Sequence, residues 1–121
     1  MIQIEPTRDM VAALRRLEAV EIFAIGGATV AEMTAGCTVL DVSEHGQIVG
    51  TLALELVGDV ARITAAASWG KHTAQELAMI ESIAKGLGAK HLEFCTRRPG
   101  LIRRALSSGY QIIDATVSRE L

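Results

Sequence analysis

The strongest charge cluster in the chain is Arg97, Arg98, Arg103 and Arg104. The two pairs lie six residues apart, so they share one helix face only if Arg97 and Arg98 fold back from the preceding loop. A compact patch of this kind binds a phosphate, a nucleic-acid backbone or an acidic protein surface; a solvated helix face accounts for it equally well. His45, His72 and His91 are scattered, with neither an HxxxH spacing nor a cysteine pair beside them, so no metal-ligand pattern is present. Cys37 and Cys95 stand in apolar or β-branched surroundings, where a free thiol acts as a small core residue. Trp69, the only tryptophan, lies in a loop: exposed, it anchors an interface; buried, it plugs the gap between flanking strands. Gly26-Gly27 lacks the GxGxxG context of a nucleotide loop. Thr73-Ala74-Gln75-Glu76 fits a capping box, in which a threonine hydroxyl and a glutamate carboxylate satisfy the free N–H groups of a helix start.

These residues are positioned by elements that the apolar spacing predicts. Residues 2–5 read as a strand, followed by a helix capped by Thr7 with Val11, Leu14 and Leu17 on one side. A short helix over Thr29–Ala35 ends at Gly36. From Cys37 the period becomes two: strands over Thr38–Ser43, Gln47–Val57 and Val60–Ala67 are joined at His45-Gly46 and Gly58-Asp59 into an antiparallel meander. The loop Ser68–His72 leads to a helix carrying Leu77, Ile80, Ala84 and Leu87, closed by Gly88. A strand over Lys90–Thr96, a helix from Pro99 to Ser107 stopped by Gly109, and a last strand over Tyr110–Ser118 complete the chain. The predicted order is β-α-α-β-β-β-α-β-α-β. Its strand–helix–strand unit requires a parallel crossover, so the sheet is mixed.

The 121 residues make one domain, 1–121, with a core of Ala, Val, Ile and Leu, since half the residues are hydrophobic and only 3% aromatic. A mean hydropathy of +0.31 excludes disorder and points to apolar surface meeting a partner. The uncharged run Ile22 to Ala31 is too short for a membrane span of about 20 residues. The N-terminus lacks a secretion signal and two cysteines are too few for a disulfide framework, so a cytoplasmic location is expected. Residues 1–60 carry nine acids and three bases (−6) and residues 61–121 five acids and nine bases (+4). With a pI near 5.9, this asymmetry favours a protein partner or self-association over nucleic acid.

The element order, with a loop and long helix after the fourth strand and Gly109-Tyr110 closing the last helix, resembles the GNAT fold of acyl-CoA-dependent N-acyltransferases: a mixed, mostly antiparallel α/β (α+β) sheet with helices on both faces. The segment Arg16 to Gly26 is similar to short GNAT-like proteins encoded by bacteriophages. The resemblance implies a coenzyme pyrophosphate site on Trp69, Gly70, Lys71, His72 and Thr73. Of the family's loop pattern only Gly70 survives; Ala67 and His72 occupy the other two positions. A self-capping Glu76 opposes an anion there, whereas Lys71 and His72 favour one. The family's usual base on the fourth strand is missing from Val60–Ala67, its usual tyrosine is Ala105, and Thr96-Arg97-Arg98 replaces its asparagine. Glu55, Glu93 or a water held by His72 are the substitutes, and no catalytic residue is assigned. The expected function is that of a degenerate GNAT-like structural or interaction component, possible in a phage particle within the host cytoplasm. The alternative is an active N-acetyltransferase that uses acetyl-CoA through a divergent loop.

Overall fold

The computed structural model describes residues 2–21, 27–68, 73–96, 99–113 and 117–120, apart from the side chains of Thr73 and Pro99. Five strands, β1 (Ile2–Pro6), β2 (Thr38–Glu44), β3 (Gln47–Val57), β4 (Val60–Ser68) and β5 (His91–Phe94), form one sheet in sequential order. The first three pairings are antiparallel and β4 pairs with β5 in parallel, as the crossover requires. Helices α1 (Met10–Glu18) and α2 (Val30–Thr34) lie against one face, and α3 (Thr73–Gly86) against the other. Helix α4 (Pro99–Ser107) follows β5.

Each face of the sheet has its own core, because side chains alternate along a strand. Toward α3, Leu40, Val42, Leu52, Leu54 and Ala61 pack with Ile80 and Ala84. Toward α1 and α2, Val39, Ala53, Ala65 and Ala67 pack with Ala13, Leu17 and Val30. The β2–β3 turn has positive φ at both His45 and Gly46, the backbone that a two-residue hairpin needs to match strand twist.

Several expectations are corrected. The cap of α1 is Asp9, whose carboxylate accepts from the Ala12 N–H; Thr7 instead accepts from the Asp9 N–H. Val11 and Leu87 are exposed, and the buried sides of their helices run through Ala13 and Leu17, and through Ile80 and Ala84. Cys95 is exposed rather than a core residue. The final strand over Tyr110–Ser118 is absent among its described residues: 110–113 and 117–118 have no strand pairing. Ile112, Ile113 and Val117 are exposed there. Gly109, at φ +90, closes α4 by letting the Tyr110 N–H reach back to the Ala105 carbonyl at 3.1 Å.

Candidate functional site

A bulge in β4 shapes the parting of two strands. Ala53 pairs with Ala65 and Leu54 with Ile63, so Thr64 is an extra residue. An inserted residue reverses the facing of everything beyond it. Ala61 and Ile63 therefore pack toward α3, whereas Ala65 and Ala67 pack toward α1 and α2. On its other side β4 pairs with β5 only from Val60–His91 to Ile63–Phe94. Beyond Ile63 no described strand covers β4 on that side, and Ala65, Ala66, Ala67 and Ser68 form an open edge made of small side chains. An extended ligand bearing amides can add to such an edge as another strand. The edge leads to the N-terminus of α3, where helix N–H groups lack intrahelical partners and favour anions.

At the end of this edge the Ser68 hydroxyl donates to Glu76, 3.3 Å from each carboxylate oxygen, and Glu76 is buried, only 5% exposed. Glu76 thus ties the first turn of α3 back to β4. Whether it also closes a capping box with Thr73 lies outside the described residues, as do Trp69, Gly70, Lys71, His72, Arg97 and Arg98. Arg103 and Arg104 are exposed on α4.

Of the substitute bases, the two carboxylates are engaged, and His72 lies outside the described residues. Arg62 stands between Glu93, at 2.7 Å, and Glu55, at 3.5 Å, so the three residues clamp β3, β4 and β5 together just before the strands part. The hydrogen bond and charge of Glu93 hold the Arg62 guanidinium above its ordinary pKa. Ala105 is buried in α4 and offers no proton. Nearby, the Tyr110 ring packs against Phe94 with centroids 5.7 Å apart. The Tyr110 hydroxyl is buried and lies beside the Glu81 carboxylate, without a hydrogen bond of standard geometry among the described residues. Burial first, and then the neighbouring Glu81 carboxylate, push its pKa up to about 12. Among the described residues no group of three His, Cys, Asp or Glu is placed to hold a metal ion, and no helix is long and apolar enough to cross a membrane.

One polar cluster was missed from sequence. Arg16 of α1 donates through Nε to Thr51 at 2.7 Å and through one Nη to Asp41 at 2.9 Å, and Thr51 donates to the same Asp41 oxygen at 2.9 Å. Asp41 and Thr51 are buried. A strand acid on a core-facing position is the signal that could have found it: such a charge needs a cation from the covering helix.

The sequence matches no protein-family model. No curated protein matches it either. Solved structures do. A ribosomal-protein-alanine N-acetyltransferase from Brucella melitensis biovar Abortus 2308 superposes with a TM-score of 0.65 at 14% identity, over 99% of this chain and 97% of that one. An acetyltransferase for IAA from Bacillus cereus ATCC 14579 gives 0.62 at 18% identity, over 90% and 75%. The fold is that of the GNAT acetyltransferases. N-acetylglutamate synthase from Neisseria gonorrhoeae, complexed with coenzyme A and N-acetyl-glutamate, likewise gives 0.62 at 18% identity over 88% of this chain. The chain spans only 28% of that synthase.

Proposed function

We propose that the protein is an acyl-CoA-dependent N-acyltransferase whose coenzyme lies along the open edge of β4. The observation that carries this reading is the parting of β4 from β5 after Ile63, with Ala65–Ser68 paired to β3 but without a described partner strand on the β5 side, and directed at the start of α3. The coenzyme would supply the acyl group as a thioester. Backbone N–H and C=O groups of Ala65–Ser68 would bind its amides, and small side chains would allow close approach. The start of α3 would receive its diphosphate. Glu76, joined to Ser68 in the first turn of α3, stands at the diphosphate end of this edge and away from the acyl carbon, so no described carboxylate is assigned as the base. The acetyltransferase activities of the structural neighbours favour this reading over a virion component, which draws no support from them.

A second reading, coenzyme binding without turnover, is favoured by the engagement of Glu55 and Glu93 with Arg62 and by alanine at position 105. Thermal unfolding with acetyl-CoA, and with pyrophosphate and ATP as anion controls, tests binding. Ligand at a hundred times its Kd adds about 2.7 kcal/mol. A rise in Tm with acetyl-CoA alone supports the proposal, and no rise refutes it. Thiol release in the presence of a panel of amines then separates transfer from binding.

A further inference from the structure

On the α1 side of the sheet, at its β1 edge, an open cleft of about 400 Å³ is lined by Gln3, Glu5, Asp9, Arg16, Asp41 and Ser43. Two strands separate β1 from β4, a distance of about 14 Å at ordinary strand spacing, so this cleft is apart from the proposed coenzyme edge and does not rest on that reading. Its lining has unspent hydrogen-bonding capacity of both kinds. Arg16 uses Nε and one Nη, while its other Nη makes no hydrogen bond or ion pair among the described residues. Asp41 accepts both of its bonds at Oδ1, which leaves Oδ2. Gln3 and Ser43 are register partners on β1 and β2, and neither side chain is hydrogen-bonded among the described residues. At the rim, Glu5 has only a distant ion pair with Arg8, 3.8 Å, and Asp9 spends Oδ1 on the helix cap.

A simple anion entering this cleft meets three carboxylates, and a simple cation meets two guanidinium groups. A ligand carrying both charges satisfies both sets. The volume suits a small molecule, and charged groups of both signs stand among its lining. We infer that the cleft binds a small zwitterion of the α-amino-acid class. Its carboxylate is taken by the spare Arg16 N–H groups with Gln3 and Ser43, and its ammonium by the spare oxygens of Asp41 and Glu5.

The test is amide chemical-shift mapping on the full chain. Glycine, L-glutamate and L-lysine serve as probes, with acetate and methylammonium as half-ligands. A zwitterion should shift the amides around Gln3, Ser43 and Ala12, and each half-ligand should bind at least about tenfold more weakly. Removing Arg16 risks unfolding the protein, so the variant of choice is Gln3→Ala/Ser43→Ala, whose side chains make no hydrogen bond among the described residues. It should keep the parent Tm and lose at least about tenfold in affinity. The inference is overturned if no zwitterion shifts these amides at about 10 mM, if a half-ligand binds as well as the zwitterion, or if the double variant binds like the parent.

Discussion

Replacing Tyr110 by phenylalanine removes one oxygen from a place where no well-formed hydrogen bond holds it among the described residues. The ring packs on Phe94 with centroids 5.7 Å apart, which the substitution keeps. The hydroxyl is buried and, despite the nearby Glu81 carboxylate, makes no hydrogen bond of standard geometry among the described residues, and a polar group in that condition costs about 1–3 kcal/mol. Tyr110→Phe should therefore stabilise the fold by about 1 kcal/mol, a rise of about 3–5 °C in Tm for a chain of this size. A pH titration gives a second, independent readout. The phenol's pKa is pushed up to about 12 in the folded protein, against about 10 when unfolded. The folded state therefore keeps the proton longer than the unfolded state does. Its contribution is fully present below pH 10 and is lost as the pH rises through 12. The loss is modest, of order 1 kcal/mol, because the ring is partly open to solvent and screening reduces it. Phenylalanine has no proton to lose, so the difference in stability between variant and parent should widen across this window. Thermal or urea unfolding at neutral pH and at steps from pH 9 to 12 measures both effects. A variant less stable than the parent at neutral pH would show that the hydroxyl has a partner. Parallel stability curves across the window would refute the burial argument.

Two further substitutions test other parts of the fold. Asp41→Asn leaves the Arg16 guanidinium mostly buried without its counter-charge and should cost about 2–3 kcal/mol, whereas Arg16→Met/Asp41→Leu should cost less than the sum of the single changes; strict additivity in urea unfolding would mean that the pair is not coupled. Gly50→Ala places a Cβ 3.1 Å from the Ala67 carbonyl oxygen, so it should lower stability by about 1 kcal/mol and weaken acetyl-CoA binding by moving the β4 edge, and unchanged affinity by calorimetry would separate that edge from the coenzyme.

How far the sequence could be read depended on whether a residue's role was local. The hairpin at His45-Gly46 was legible because positive φ at adjacent positions is a demand that few residue types meet. The stop at Gly109 was legible for the same reason. The decisive feature of the candidate site was not, since Ile63-Thr64-Ala65-Ala66-Ala67 reads equally well with either set of alternate residues inward, and only pairing with Ala53 and Leu54 shows where the alternation reverses. The Arg16–Asp41–Thr51 cluster was hidden differently: its members lie 25 and 35 residues apart from Arg16, so no local pattern links them. The last strand shows the opposite error. Tyr110–Ser118 is rich in β-branched residues, as strands are, yet a strand exists only where an edge receives it. The four residues of β5 provide a short edge, already paired with β4 on one side. Composition expresses willingness to pair, and pairing is a property of two segments. The same logic applies to the proposed coenzyme edge: Ala65–Ser68 are plain alanines and a serine, and what they offer a ligand is backbone that has no described partner strand on the β5 side rather than any side chain they carry.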